Sequence, residues 1–391
     1  MGRRERKGEE EEREAPLHGD VLEAIVSHVS TIDLVPASHV SKAWRGAVLS
    51  SLRRSPRRAP WLLLHLQSRR DPSKASTHAY DPHSRAWCPL SHVPRLPPRA
   101  SLPLRSSPLL HALSISRLAL SADPFGATWR ELEPPRVWRQ DPVVAAVGPA
   151  VVVVAGGACE FEDDPCAVEV HRGCGWEAAE TMPEAFKGSA AATWLSAVAS
   201  DRAVYVLEKQ AGWASRFDPV TGRWGPTRLL RPDPSVCLST IGFIDPDRLV
   251  LVGVCGSDSD SGWRPESVRL WEVNGETLEV GSEVGRMGKE MVNGLVGKEE
   301  EEEGSYSWGM CSIGFASTAG FGYVYNPADP RKDIFLCEFE GTERGSGVGC
   351  RWERIPSPPL AVEANPTRRM VFRCSTVGMD DLKMVLWTPG R

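Results

Sequence analysis

The sequence predicts a small all-α module over residues 16–54, followed by an all-β propeller over residues 61–388. Two observations predict the propeller. Four tryptophans, Trp87, Trp129, Trp176 and Trp224, recur at intervals of 42, 47 and 48 residues, and three of them follow an Asp-Pro pair after four residues. A third observation, apolar residues at helical spacing near the N-terminus, predicts the module. Repeats of this length fit four short antiparallel strands, which form one propeller blade.

The predicted helical module contains two amphipathic helices with a short connection. Their apolar residues recur every three or four positions: Val21, Leu22, Ile25, Val26 and Val29, then Val40, Ala43, Trp44, Ala47 and Val48. We expect Asp20 and Glu23 to cap the first helix, and Pro36 to lie in the first turn of the last helix. About forty residues cannot bury a large core unaided, so the exposed apolar stripe should dock on another protein or on the propeller.

Charged segments flank this module. Residues 1–15 are expected to form a disordered charged tail, and residues 55–60 a basic linker to the propeller. Arginines surround the linker and alternate with Pro56 and Pro60: Arg53, Arg54, Arg57 and Arg58. A stiff linker would fix the distance between the two parts of the chain.

The Asp-Pro pairs predict tight turns that join neighbouring strands. They are Asp81-Pro82, Asp123-Pro124 and Asp218-Pro219. Proline presets φ for the corner of a turn, and an Asp side chain hydrogen-bonds nearby backbone amides. The tryptophans after these turns are expected to pack in the core.

The apolar run Val151 to Ala155 predicts a buried strand that ends at Gly156-Gly157. Two glycines permit positive φ and a close backbone approach where the strand leaves the blade. A strand, a Gly-Gly pair, an aromatic and a later Trp resemble the kelch repeat. In this resemblance the structural residues are Trp87, Trp129, Gly156, Gly157, Trp176, Trp224 and Trp352.

The repeat count favours six blades, and five or seven are the alternatives. The fifth blade is expected over 239–284, with Leu278 where a Trp would stand, and the sixth over 307–355. An acidic insertion near 286–306, containing Glu299 to Glu303, should form an exposed loop between them. The strand Met370 to Thr376 is expected to complete blade one. This closure would pair the sheet edges that the first and last blades otherwise leave free.

The N-terminal segment from Leu17 to Leu52 resembles an F-box. The matching positions are Leu17, Asp20, Leu22, Ile25, Val29, Asp33, Leu34, Val40, Lys42, Trp44 and Arg45. His18 and Ser30 replace the usual prolines, and Ser41 replaces the usual cysteine.

An F-box followed by kelch repeats resembles a large family of plant F-box/kelch proteins. The resemblance implies a substrate receptor of an SCF-type ubiquitin ligase, in which the F-box binds a Skp-family adaptor and, through it, a cullin. The propeller would hold a target protein for ubiquitination and degradation, such as an enzyme of phenylpropanoid or flavonoid biosynthesis. The adaptor-binding residues implied are Leu17, Leu22, Ile25, Val29, Leu34, Val40 and Trp44.

The amino-acid composition argues against nucleic acid and membrane as partners. The formal charge of −5 argues against general nucleic-acid binding, and no stretch of 18 apolar residues suggests a membrane span. The charged N-terminus does not resemble a secretory signal, which favours the cytoplasm or nucleus. The cysteines are expected to be reduced thiols, and the sequence predicts no catalytic residue, metal site or cofactor.

Two other functions stay open. The departures at His18, Ser30 and Ser41 are also compatible with a protein-binding kelch scaffold that is not recruited to the ligase. Propellers also include enzymes, although the histidines here show no catalytic constellation. In a binding protein, we expect target contacts in the loops Cys159 to Pro165, Lys209 to Ala214 and Ser257 to Pro265, with Trp213 and Trp263 as anchors.

Overall fold

The computed structural model describes residues 19–68, 70–71, 75–90, 105–106, 109–158, 164–259, 262–296, 313–318, 320–341, 348–359 and 368–386. The chain divides into two compact units, Met1–Arg58 and Ala59–Arg391. The division falls inside the segment 55–60 that the sequence assigns to a linker.

The first unit contains three helices, whereas the sequence predicts two. They are α1 (Gly19–His28), α2 (Leu34–Val40) and α3 (Lys42–Arg54). The last two are separated at Ser41, whose backbone is extended at φ −161° and ψ 170°. The Ser41 hydroxyl accepts a hydrogen bond from the Trp44 amide at 3.2 Å, so a serine cap starts a new helix there. Pro36 lies in the first turn of α2 rather than in the last helix.

Apolar residues from all three helices form the core of this unit. Those with at most 5% exposure are Leu22, Val26, Leu34, Val35, Ala47 and Val48. Asp20 and Glu23 do not form the expected capping pair: Asp20 lies inside the first turn of α1, and Glu23 pairs with Arg54 at 2.8 Å. A carboxylate in the first turn still interacts favourably with the helix dipole.

The predicted basic linker partly belongs to the helical unit. Arg53 and Arg54 lie in the last turn of α3. Arg57 donates hydrogen bonds to the Val29 carbonyl at 2.5 Å and to the Thr31 hydroxyl at 2.6 Å. Arg57 therefore ties the chain after α3 to the segment after α1.

The second unit is a propeller of six antiparallel sheets, which are the six blades. Blade 1 contains β1 (Trp61–Ser68), β2 (Ala75–Asp81) and β3 (Ala86–Leu90). Blade 2 contains β4 (Arg105–Ser106), β5 (Leu110–Ser114), β6 (Arg117–Ser121) and β7 (Arg130–Leu132). Blade 3 contains β8 (Val143–Val147), β9 (Val151–Ala155), β10 (Val168–His171) and β11 (Trp176–Ala178).

The remaining blades follow the same order along the chain. Blade 4 contains β12 (Leu195–Ala199), β13 (Val204–Glu208), β14 (Trp213–Asp218), β15 (Arg223–Trp224) and β16 (Arg228–Leu229). Blade 5 contains β17 (Val236–Asp245), β18 (Arg248–Ser259), β19 (Gly262–Asn274) and β20 (Val280–Met287). Blade 6 contains β21 (Gly314–Thr318), β22 (Phe321–Tyr325), β23 (Ile334–Glu340) and β24 (Gly349–Ile355). Two further helices are α4 (Lys289–Val296) and α5 (Met379–Leu386).

The strand β25 (Arg368–Ser375) closes the propeller. It is the innermost strand of blade 1 and pairs with β1 along its whole length, with Leu64 opposite Phe372. The Phe372 ring stacks on Tyr325 of blade 6 with centroids 4.1 Å apart. The six-blade prediction and its closure by a C-terminal strand are therefore confirmed.

The innermost strands of most neighbouring blades contact each other around a central channel. Because strands reverse direction along each blade, the connections alternate between two ends. We call the end that carries the connections from second to third strand, and from one blade to the next, the loop face. The opposite end, with the Asp-Pro turns between third and fourth strands, is the turn face.

The Asp-Pro turns have the predicted local structure. The carboxylate of Asp81 accepts a hydrogen bond from the His83 amide at 2.9 Å, and Asp218 accepts one from the Val220 amide at 2.8 Å. Asp123 accepts several, including that of the Ala127 amide at 2.9 Å. Each turn joins the third strand of its blade to the fourth.

Three of the repeated tryptophans link neighbouring blades. The indole N–H groups of Trp87, Trp176 and Trp224 donate to backbone carbonyls of Pro356, Glu133 and Glu180, at 2.6, 2.9 and 3.0 Å. Each acceptor follows the outermost strand of the preceding blade. Trp129 differs, because it donates to Gly126 in its own turn. Trp176 is buried and the other three are half-buried, while Trp352 packs at the edge of the core between blades 5 and 6.

The Gly156-Gly157 pair has positive φ values of 67° and 109°. A Cβ on Gly156 would lie 2.3 Å from the Ala190 carbonyl oxygen, and one on Gly157 would lie 2.8 Å from that of Gln140. Glycine is required here for both reasons.

Part of the predicted acidic insertion is a packed helix. In α4, Val292 and Leu295 are 1% and 0% exposed and join the core shared by blades 5 and 6. The Asn326 amide donates to the Leu295 carbonyl at 3.3 Å. The helix is explained by Val292 and Leu295, which are three residues apart and therefore share one helical face. The sequence predicted a loop here because of the neighbouring acidic run. The acidic run Glu299 to Glu303 lies outside the described residues.

The expectation that all cysteines are reduced thiols is wrong for one pair. Cys337 on β23 and Cys350 on β24 form a disulfide, with Cα atoms 6.0 Å apart. Neighbouring antiparallel strands bring the two residues within disulfide range although 13 positions separate them.

Candidate adaptor-binding and target-binding surfaces

The helical unit exposes large apolar side chains on its surface. Val21 and Ile25 lie one turn apart on the same face of α1, and Ile25 is 43% exposed. Val40 at the end of α2 is 64% exposed, and Leu49 on α3 is also exposed. Such a surface on a module of this size suits docking to another protein.

The residues that the resemblance assigns to adaptor binding divide into two groups. Ile25 and Val40 are exposed, and Val29 and Trp44 are half-buried. Leu22 and Leu34 are 2% and 0% exposed, so they pack inside the module and support its surface from within. Leu17 lies outside the described residues.

The adaptor-binding residues that the F-box resemblance implies do not include the exposed Val21 and Leu49. The signal for Val21 was present, because it precedes Ile25 by four residues and therefore shares its helical face. Leu49 had no such signal, because it follows the buried Val48 and falls outside the apolar periodicity of α3.

The described parts of the three expected target-contact loops lie on the loop face, because each loop connects the second and third strands of its blade. Lys209 to Ala214 forms a tight turn that leads into β14. Ser257 to Pro265 is largely an extension of the β18–β19 hairpin, in which Asp258 pairs with Trp263, rather than a loop. Only Asp164 and Pro165 of the first loop are described, and the side chain of Trp263 lies outside the described part.

Blade 4 presents an exposed apolar cluster at the loop face, which consists of Trp194, Trp213 and Leu229. Trp213 is 37% exposed and lies directly opposite Leu229 in the sheet, so their side chains share a face. The Trp194 carbonyl accepts a hydrogen bond from the Lys209 amide at 3.0 Å, which brings the start of β12 to the same turn. Trp194 and Leu229 were not predicted, because nothing in the sequence pairs them with Trp213.

The comparisons with known proteins agree with both units. The F-box domain family matches residues 17–55. An F-box/kelch-repeat protein of Arabidopsis thaliana is 36% identical over 386 residues, which cover 95% of this chain and 93% of the relative. This chain belongs to the F-box/kelch-repeat proteins.

Solved structures resemble this F-box/kelch-repeat protein only distantly. TolB from Acinetobacter baumannii has a TM-score of 0.40 at 10% identity, over 81% of this chain and 73% of TolB. A chain of a nidogen/laminin complex has a TM-score of 0.41 at 11% identity, over 81% of this chain and 98% of that one. At these values the similarities do not bear on function.

Two buried histidines of this F-box/kelch-repeat protein pack inside the propeller blades. His65 is fully buried on β1, and its Nδ1 lies 2.9 Å from the Thr77 hydroxyl. Burial, with a smaller effect of Arg373, lowers the pKa of His65 to about 3, so it is neutral at physiological pH. His171 packs edge-on against Trp176. Among the described residues, no group of three His, Cys, Asp or Glu side chains is placed to hold a metal ion.

The helices in the described part of the chain do not meet the requirements of a membrane span. None of them is both long and apolar enough to cross a bilayer.

Proposed function

We propose that this F-box/kelch-repeat protein is the substrate receptor of an SCF ubiquitin ligase. The observation that carries the proposal is the F-box at residues 17–55, with exposed Val21, Ile25 and Val40, in the same chain as a separate six-blade propeller. The first unit would bind a Skp-family adaptor and thereby a cullin. The second would bind the target protein, in the cytoplasm or the nucleus.

On the adaptor side, the exposed apolar residues are proposed to make direct contact. These are Ile25 and Val40, with Val21, Val29 and Trp44 beside them. Apolar side chains that are desolvated at the centre of an interface contribute most to its affinity. Leu22 and Leu34 keep the helices in place from the core, and Leu17 is proposed to extend the contact.

On the target side, the loop face of the propeller is the proposed binding surface. Trp213 is the proposed anchor in blade 4, with Trp194 and Leu229 beside it, and Trp263 is proposed as a second anchor in blade 5. Tryptophan is enriched in binding hot spots because it buries a large area with few rotatable bonds.

The receptor would act by proximity alone. A target held near the ubiquitin-transferring enzyme meets it at a high effective concentration, so the transfer becomes nearly unimolecular. No bond chemistry is required of this chain. The family resemblance suggests an enzyme of phenylpropanoid or flavonoid biosynthesis as the target class.

A substrate-trapping experiment in plant cells tests this function. The full chain, its Ile25→Asp variant and an Ala24→Asp control would be expressed, and protein half-lives and bound proteins would be measured by quantitative mass spectrometry. Ala24 is exposed on the same helix but points about 100° away from Ile25. We expect at least one protein to turn over faster with the wild type and the control, and to stay bound but stable with Ile25→Asp.

The trapped protein should also lose binding when Trp213→Asp is added. If no protein changes its half-life in an Ile25-dependent manner while partners still bind the propeller, the scaffold function replaces the receptor function.

A further inference from the structure

The third helix of the N-terminal unit carries a basic stripe. Lys42, Arg45 and Arg53 are exposed, and Leu49, which is 46% exposed, lies between Arg45 and Arg53. At about 100° per residue, these four positions fall within about 80° of one another around α3, opposite the buried Ser51. We call these four residues the α3 stripe.

The cations of the α3 stripe have no acidic partner among the described residues. No described carboxylate pairs with Lys42, Arg45 or Arg53. Arg54 pairs with Glu23, but it points about 100° away from Arg53 and is not part of the stripe. The stripe is therefore free to bind an acidic segment from outside the described residues.

An acidic run of this chain precedes the same unit. Residues 9–14 contain five glutamates and one arginine, and they lie outside the described residues. Residues 19–58 contain six lysines and arginines but three acidic residues, although the formal net charge of the chain is −5. The positive charge of the unit therefore has a complement in the segment that comes before it.

The start of α1 lies beside the end of α3, which brings the acidic run within reach of the stripe. Glu23, in the first half of α1, lies 2.8 Å from Arg54, the last residue of α3. An extended chain covers about 3.3 Å per residue, so positions 14 and 9 can lie up to about 17 and 33 Å from Gly19. The stripe is about 16 Å long between Lys42 and Arg53. The run is thus long enough to lie along the whole stripe.

We propose that the acidic run 9–14 binds the α3 stripe of the same chain. Its glutamates pair with Lys42, Arg45 and Arg53, and the run covers Leu49. Exposed ion pairs are individually weak, but several act together here, and the short tether gives the run an effective concentration of about millimolar. An acidic segment of another protein has to displace the run, so the contact regulates access to the stripe. It lies within the N-terminal part of the chain and does not depend on a ligase function.

Fluorescence anisotropy of a labelled peptide, titrated with the full chain, tests this contact. The peptide has the sequence of residues 8–16, and the ionic strength is low and constant because salt screens exposed charges. The first variant carries Glu9→Gln, Glu10→Gln, Glu11→Gln and Glu12→Gln, so that its own run no longer competes. We expect it to bind the peptide at least about fivefold more tightly than the wild type does. Adding Arg45→Gln and Arg53→Gln to this variant should abolish the binding.

The matched control removes four negative charges from the other acidic run. It carries Glu299→Gln, Glu300→Gln, Glu301→Gln and Glu302→Gln, and it should bind the peptide as the wild type does. Equal affinity of the wild type and the first variant would overturn the proposal, and if both depend on Arg45 and Arg53, the occupant is an acidic segment of another protein. No binding by the first variant, or binding that survives the two arginine substitutions, would also overturn it. Thermal unfolding of each variant checks that the chain is folded.

Discussion

At the scale of single residues, buried and strained positions set the stability of the propeller. Gly156 combines a φ of +67° with a backbone oxygen 2.3 Å from the position that a Cβ would take. Arg139 pairs with Glu169 at 2.5 Å, and both of these side chains are almost fully buried. The glycine pair was predictable, because a double glycine after an apolar strand indicates that the backbone turns there with positive φ. The ion pair was not, because Arg and Glu in a sequence indicate solvent exposure unless a partner is known.

Replacing Gly156 with alanine should lower the free energy of unfolding by about 2 to 4 kcal/mol. Positive φ is unfavourable for alanine, and its Cβ would overlap the Ala190 carbonyl. Urea unfolding would measure the change. Gly188→Ala is the control, because a Cβ there meets nothing within 4 Å, and it should change stability by less than about 0.5 kcal/mol. Equal effects of the two substitutions would show that Gly156 is not constrained.

Because of His65, the propeller should become less stable as the pH decreases. The unfolded chain binds a proton at His65 below its ordinary pKa of 6.5, whereas burial keeps the folded chain from binding one until about pH 3. Over that range the unfolded state binds more protons, so stability decreases as pH decreases. Between pH 7 and pH 5 the loss from this residue is about 2 kcal/mol.

Urea unfolding at both pH values tests this contribution. His65→Gln should lose that part of the pH dependence, while His83→Gln, at an exposed position, should keep the wild-type dependence. An unchanged pH dependence in His65→Gln would contradict the prediction.

At the scale of elements, strand closure was predictable and helix boundaries were not. Blade 1 lacked a first strand in the sequence, so the C-terminal strand had a defined place. The break between α2 and α3 depends on the extended backbone of one residue, Ser41, which apolar periodicity does not report. The short α4 was missed because eight residues give a weak periodic signal beside an acidic run.

Deleting the closing strand should unfold the propeller. A chain that ends at residue 366 lacks β25, so β1 loses its inner partner and Tyr325 loses the stacked Phe372. Soluble yield and cooperative thermal unfolding would both be lost, since an open sheet edge also favours aggregation. A chain that ends at residue 386 keeps β25 and α5 and should unfold like the wild type. Cooperative unfolding of the shorter chain would show that blade 1 closes without β25.

At the scale of the whole molecule, the sequence was sufficient for the fold class and the family. Repeats of a fixed period determine a propeller, and an F-box is recognisable from apolar positions on short helices. The exposed cluster of Trp194, Trp213 and Leu229 was only partly predictable, because cross-strand neighbours depend on register.

The central claim is that one chain joins a ligase adaptor to a target, and adaptor binding tests it most directly. The affinity of the purified full chain for a purified Skp-family adaptor would be measured by calorimetry, with Ile25→Asp and the control Ala24→Asp. We expect binding by the wild type and the control, and at least about 100-fold weaker binding by Ile25→Asp, because a charge would be buried in an apolar contact. No binding by the wild type, or equal binding by all three, would contradict the account.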